Sequence, residues 1–251
     1  EGVMPNTKTS QNSITLATDY KLTDKVKVSA NANYTRTYSP NKANVTGSNS
    51  ALNKLLFDFS NSYQPLSDMK NYWLTGFEGI MENGAQMKDN GYDVNTPNPW
   101  WIANENINIF SRDNFFGKVQ LDWQLNKDFA ILLRSGMDNI AENYEFRRSF
   151  GARALGSRPG AGDGQYTANS SNSLSVNSDA ILSFNRTFGD FNVTAIAGAN
   201  YAYGTSNSYY INANALVVPQ QFSMANAFPG SLTAAYGWGA GPSHSFYGTA
   251  D

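Results

Sequence analysis

The chain has 251 residues, which suffices for one large all-β domain or two small domains. Its net charge of -2 gives no basic field for nucleic acid, and charged residues make up only 15% of it, against about 25% in a typical soluble domain. Cysteine is absent, which excludes disulfides and cysteine-bound metal, and no apolar run reaches the ~18 residues of a transmembrane helix.

Apolar and polar residues alternate with a period of two in six segments of the chain. Successive side chains of a strand point to opposite faces, so this period predicts half-apolar strands. The predicted strands cover residues 13–20, 26–38, 114–125, 129–139, 174–184 and 191–203. Residues 246–251 resemble the beginning of a seventh strand.

Short and long connections alternate along the chain. Short polar turns join the first strand to the second, the third to the fourth and the fifth to the sixth. Long connections are predicted over residues 39–113, 143–173 and 204–245. The first of them contains Leu52, Leu55, Leu56 and Phe59, whose spacing suggests a short amphipathic helix. Connections of this length are uncommon in compact domains and are usually functional or partly disordered.

The charged residues of the predicted strands fall on the polar parity, so the apolar face is expected to be free of charge. The residues on which this expectation rests are Asp19, Lys27, Lys118, Asp122, Arg134, Asp138 and Asp179. An Arg or Lys at the midplane of a lipid-facing surface costs about 2–4 kcal/mol. The pattern is therefore typical of strands whose apolar face meets lipid.

Aromatic residues mark both ends of the apolar rows, as they do at the two interfaces of a membrane barrel. Near the tight turns these are Tyr20, Trp123, Phe129, Phe184 and Phe191; near the long connections they are Tyr34, Tyr38, Tyr144, Tyr201 and Tyr203. The predicted fold class is all-β: part of an antiparallel transmembrane β-barrel with long extracellular loops. Six or seven strands are too few for a large barrel, since small barrels close at about eight. A soluble β-sandwich is the alternative architecture.

Several segments resemble the SusC/RagA family of TonB-dependent outer-membrane transporters. The most specific combines Asn98-Pro99-Trp100-Trp101, Glu105-Asn106 and Arg112-Asp113-Asn114 ahead of a strand. Three further segments are similar to a later hairpin, a loop and a following strand of the family: residues 188–201, 216–226 and 245–251. Together they cover nearly the whole chain.

The resemblance implies an internal section of a barrel of about 22 strands with a plugged lumen. It also implies a place in the bacterial outer membrane, import of an oligosaccharide or peptide, energy supplied through TonB, and a SusD-like lipoprotein that covers the extracellular face. The plug and the segment that contacts TonB are not expected within residues 1–251. A passive porin and a secreted carbohydrate-binding β-sandwich are the alternative functions.

No constellation of residues predicts an enzyme, a metal site or a cofactor. The single histidine, His244, lies in a Gly- and Ser-rich stretch without the partner groups that acid–base chemistry needs. The candidate substrate-binding residues are Trp73, Trp100 and Trp101, because planar aromatic side chains bind sugar rings and peptide side chains. Packing of these side chains against the barrel or a lid protein is the alternative role.

Overall fold

A computed structural model of the protein describes residues 4–43, 70–72, 98–149 and 164–251. Seven strands make up most of this part of the chain, together with one short α-helix and one 3-10 turn. The strands are β1 (Lys8–Thr23), β2 (Val26–Asn41), β3 (Asn106–Gln124), β4 (Phe129–Arg148), β5 (Gln165–Phe188), β6 (Phe191–Ala213) and β7 (Leu232–Ala250). Helix α1 spans Pro99–Glu105, and the 3-10 turn spans Met224–Asn226.

All seven strands form one antiparallel sheet in which each strand pairs with the next one along the chain. The prediction of an all-β antiparallel fold is thereby confirmed, and the seventh strand is a full strand of 19 residues. In the described ranges, no helix has the length and apolar character that crossing a bilayer requires. The predicted helix around Leu52 lies outside the described residues.

The strands extend further toward the long connections than the alternation predicts. β3 begins at Asn106, β5 at Gln165 and β7 at Leu232, so the connections between paired strands cover residues 42–105, 149–164 and 214–231. These are shorter than the predicted loops 39–113, 143–173 and 204–245. Ladder hydrogen bonds join backbone groups and do not require alternating side chains, which explains why pairing continues after the pattern has faded.

The cross-strand register joins the apolar residues into rows that run across the whole sheet. One row consists of Tyr20, Val28, Leu121, Leu133, Ala180, Ala199 and Phe246, each directly opposite the next. The neighbouring side chain of Val119 is 55% exposed, and Ala197 is exposed as well. In the part of the chain that the structure describes, no second sheet covers this face, so the described strands do not form a β-sandwich. We call this surface the apolar face.

The opposite face carries polar rows. One of them consists of Asp19, Ser29, Gln120, Arg134, Asp179, Asn200 and Ser245, again in direct cross-strand register. In a transmembrane barrel the apolar surface meets lipid and the polar surface lines the lumen, and the two faces of this sheet show that division.

From one hairpin to the next, the tight turns shift in one direction along the strand axis, as they do in a barrel. The first residue of β2, Val26, pairs with Trp123, and β3 turns just beyond it. Phe129 at the start of β4 pairs with Phe184, but β5 continues to Phe188 before it turns. Closure of a barrel requires this stagger of register together with a tilt of the strands.

The expectation of an apolar face without charge is wrong for Arg36, which has the parity of Tyr34. Arg36 lies directly opposite Asp113, with 3.4 Å between the Nη1 and Oδ1 atoms, and the Tyr34 hydroxyl also donates to Asp113. The pair lies on the loop side of Tyr34, where an interfacial aromatic marks the edge of the hydrocarbon. Tyr144 is a second correction, because it shares the face of Arg134 and is no part of the apolar rows.

A charge placed in the middle of the apolar face is expected to destabilise the folded protein in a bilayer. Val119 lies between Phe115 and Trp123 on β3, so Val119→Arg should lower the free energy of unfolding by about 2–4 kcal/mol. The matched control is Ser29→Arg, which places the same charge on the polar face opposite Asp19 and should change stability by about 0.5 kcal/mol. Denaturant titration of the full-length protein in phospholipid vesicles measures both values. Equal effects of the two substitutions would contradict the assignment of the faces.

Candidate binding surface at the loop end of the polar face

Helix α1 immediately precedes β3 in the chain. The Asn98 side chain caps it by accepting a hydrogen bond from the Trp100 backbone N–H at 2.8 Å, and Pro99 occupies the first turn. Both are favourable at a helix N-terminus, where backbone N–H groups lack partners and the fixed φ of proline suits the first turn. The helix turns Trp101, Ile102 and Ala103 into a small apolar cluster with Met4 and Tyr72.

The three tryptophans proposed from the sequence have different surroundings. Trp101 is 1% exposed within the cluster of α1, which fits the packing role that was the alternative for it. Trp100 is partly exposed, and its role in substrate binding stays a prediction. Trp73 lies outside the described residues. The structure thus brings Trp100 and Trp101 to the loop end of the sheet without bringing them together on one open surface.

Asparagine side chains fix α1 to the strand ends. Asn41 at the end of β2 donates from Nδ2 to the Ala103 carbonyl at 3.1 Å, and its Oδ1 accepts from the Asn108 backbone N–H at 3.0 Å. The Lys42 N–H donates to the Asn108 carbonyl at 2.7 Å, so the β2–β3 ladder continues to this point. These bonds satisfy backbone groups that would otherwise be buried without partners.

Next to this junction, the polar face carries an aromatic side chain between cations. The Lys42 ammonium lies 4.0 Å from the centre of the Phe110 ring, and the Arg112 guanidinium lies 5.7 Å from it. Arg112 forms an ion pair with Glu142 on β4. Tyr144 donates its hydroxyl to Asn108 Oδ1 at 2.7 Å. The arrangement offers charge of both signs and an aromatic ring to a molecule at the loop end of the lumen.

Closer to the tight turns, the polar face carries a fixed charge network. Arg134 Nε lies 2.6 Å from Asp179 Oδ2, and Asn200 donates to Asp179 Oδ1 at 2.7 Å. The ring of Tyr247 lies directly across Gly198, where any Cβ atom would collide with it. Only a glycine allows this close approach of the aromatic ring to the sheet. This part of the wall is held by hydrogen bonds and by close packing of Tyr247 on Gly198.

A third polar group lies where β5 and β6 reach the loop end. Asn212 Oδ1 accepts from Gln165 Nε2 at 2.8 Å and from Thr167 Oγ1 at 2.7 Å, and Asn212 Nδ2 donates to Asn214 Oδ1 at 2.7 Å. Thr167 and Asn212 are each 6% exposed. We call Gln165, Thr167 and Asn212 the amide cluster. Arg148 on β4 lies directly opposite Gln165 in the sheet.

Burial changes the pKa values of two charged groups in this region. It raises the pKa of the Glu105 carboxyl, which opposes the lowering effect of the hydrogen bond that the Tyr72 hydroxyl donates to it at 2.9 Å. It lowers the pKa of the Arg148 guanidinium, for which no neighbouring acid acts in the opposite direction. Desolvation disfavours the charged form in both cases.

Sequence reasoning missed most residues of this surface. Phe110, Arg112, Glu142 and Tyr144 lie beyond or near the ends of the predicted strands, where alternation no longer marks a face. In the sequence, Glu142, Glu145, Arg147 and Arg148 are interpreted as a solvated rim, with substrate contacts as the alternative, whereas the Arg148 Nε atom is buried. One signal in the sequence could have identified part of this surface. Glu142, Tyr144 and Arg148 are an even number of positions from Arg134, so continued alternation along β4 places them on the face of Arg134.

The two faces of the sheet and the stagger of its strands define the fold class: the chain is a section of the wall of a large antiparallel β-barrel. No family model and no curated protein matches the sequence. Solved structures of one transport system do match the fold. The RagAB peptide importer in its closed-closed state aligns with 96% of this chain at a TM-score of 0.60 and 12% identity, and the RagAB peptide transporter aligns with 96% at 0.61 and 10%.

The open-open state of the RagAB peptide importer aligns with the same share of the chain at a TM-score of 0.57 and 11% identity. The matched region is 26% of the chain in the first two structures and 24% in the third. The fold expected from the SusC/RagA resemblance is thereby confirmed: seven strands with the arrangement of one part of a RagAB barrel.

The half-buried carboxyl of Glu105 makes the stability of the α1 region depend on pH. Its pKa is higher in the folded state, so folding favours the protonated form. This stabilisation is present below the ordinary pKa of 4.5 and is lost as pH rises through the raised pKa. Glu105→Gln should therefore raise the protection of α1 amides against hydrogen exchange at neutral pH and reduce its pH dependence. Tyr72→Phe, which removes the donor, should lower protection instead. Unchanged pH dependence in Glu105→Gln would contradict this assignment.

Proposed function

We propose that the chain is the wall section of an outer-membrane transporter that imports peptides, and that the polar face contacts the peptide during passage. The observation that carries this proposal is the alignment of 96% of the chain with the RagAB peptide importer. The apolar face would meet the lipid bilayer of the bacterial outer membrane. The loop end, which carries the long connections, would face the outside of the cell.

The chemistry of the polar face favours a peptide over a neutral oligosaccharide. A peptide carries a terminal ammonium, a terminal carboxylate and amide groups along its backbone. The loop end offers Lys42, the Arg112–Glu142 pair and the amide cluster, which can bind such groups. A neutral sugar uses aromatic faces and hydroxyl contacts, and Phe110 is already covered by Lys42. An oligosaccharide remains the alternative substrate.

Two partners follow from the proposal. A SusD-like lipoprotein would cover the loop end, where α1 and the long connections meet the extracellular side. TonB would supply energy from the inner membrane through a part of the protein outside residues 1–251. These partners separate the proposal from a passive porin, which needs neither.

Uptake measurements test the function. Cells that lack the full-length protein should lose uptake of a labelled mixture of oligopeptides, and expression of the protein should restore it. Dissipation of the proton-motive force should abolish the restored uptake, because energy coupled through TonB depends on it. Restored uptake that persists without the proton-motive force would indicate a porin. Restored uptake of an oligosaccharide in place of peptides would overturn the peptide proposal.

A further inference from the structure

Arg148 is a cation on the polar face without a counterion in the described part of the chain. Its Nε atom is buried and has no hydrogen-bond partner. Desolvation lowers its pKa, and no carboxylate of the described residues compensates its charge. A buried charge without a partner is costly, and arginine remains protonated at physiological pH. Among the described residues, the site therefore has no anion.

The carboxylates around Arg148 are engaged elsewhere. Glu145 pairs with Arg147, whose Nε lies 2.6 Å from Glu145 Oε1, and both have the opposite parity on β4. Glu142 pairs with Arg112. Glu105 accepts a hydrogen bond from Tyr72, and burial raises its pKa. The anion that completes the site is thus not one of these side chains.

The surroundings of Arg148 are polar and preorganised. In the sheet it lies between Asn106 and Gln165, which are its direct cross-strand neighbours. Asn106 Oδ1 accepts from the Ser149 N–H at 3.3 Å, and Ser149 Oγ donates to the Glu105 carbonyl at 2.7 Å. On the other side, Gln165 is held by Asn212 of the amide cluster. The guanidinium is therefore placed among fixed side chains on the lumen face.

We propose that Arg148 binds a carboxylate of the transported molecule, and that this carboxylate is the C-terminal group of a peptide. The proposal rests on the proposed peptide import and deepens it. The planar guanidinium presents paired N–H donors that match a carboxylate in bidentate geometry. Because the site lies at the loop end of the lumen, it would receive the terminal carboxylate of a peptide as it enters.

The test compares two hexapeptides of one sequence, one with a free C-terminal carboxylate and one with a C-terminal amide. Affinity is measured by calorimetry on the purified full-length transporter. Arg148→Gln should weaken binding of the free acid by about 10- to 100-fold, the effect of losing a hydrogen bond to a charged group, and should leave the amide unchanged. Arg148→Lys should retain part of the preference, since lysine keeps the charge without the bidentate fork.

Arg147→Gln is the matched control, because Arg147 is adjacent in sequence but has the opposite parity and a carboxylate partner. It should leave the preference for the free acid intact. A second readout needs no ligand: Arg148→Gln should raise the melting temperature of the protein by removing an uncompensated charge, whereas Arg147→Gln should not. Equal weakening of acid and amide by Arg148→Gln, or no weakening of either, would overturn the proposal.

Two additional ligands separate the sources of the carboxylate. An amidated peptide that carries one Asp side chain tests whether a side-chain carboxylate replaces the terminal one, and its Arg148-dependent binding in preference to the free acid would overturn the terminal assignment. An oligosaccharide with one uronic acid tests the case in which no peptide binds. Arg148-dependent binding of that sugar would refute peptide import while a carboxylate site remained, and the absence of any Arg148-dependent carboxylate binding would refute the site itself.

Discussion

The constraint on which this fold depends is the need of every backbone N–H and C=O group to find a partner where no water is available. In hydrocarbon only helices and closed barrels meet it. The seven strands do so through continuous ladders, such as the one that pairs β4 with β5 from Phe129 to Arg148. Among the described residues, β1 and β7 each have one unpaired edge and do not pair with each other. Within a bilayer both edges require further strands, which agrees with a fold that matches about a quarter of a RagAB chain.

The thickness of the bilayer then divides each strand into two parts. A tilted strand crosses the hydrocarbon in about 9–11 residues, which is the length of the stretch from Phe191 to Tyr201. Strands of up to 24 residues therefore continue well beyond it at the loop end. Charges occur on both faces there, as Arg36 with Asp113 on the side of the apolar face and Arg112 with Glu142 on the side of the polar face illustrate. Free of contact with lipid, this upper wall can present charged and aromatic side chains to solutes and partner proteins.

The same division explains what could be predicted from the sequence. Side chains alternate in polarity only where the two faces of a strand meet different environments. The alternation therefore predicted the membrane-spanning parts of six strands, and it assigned Val119 to the apolar face and Arg134 to the polar face. The alternation ends where both faces of a strand meet water, so the sequence did not predict the extensions of β5 and β7. Contacts across strands need the register as well. The packing of Tyr247 on Gly198 and the position of Arg148 opposite Gln165 depend on pairing between distant segments, which the period of a single segment does not encode.

On the polar face, a few side-chain atoms are withdrawn from solvent and have no hydrogen-bond partner among the described residues. In the described part of the chain these atoms are Asn114 Oδ1, Asp138 Oδ1 and Arg148 Nε, and all three residues have the lumen-facing parity. Each such atom costs about 1–3 kcal/mol when it stays unsatisfied, and more when the group is charged. Asn114 and Asp138 are diagonal neighbours across β3 and β4, since Asn114 pairs with Ile140 and Asp138 with Phe116. Among the described residues, the two acceptor oxygens at the middle of the wall have no donor, and the arginine at the loop end has no anion.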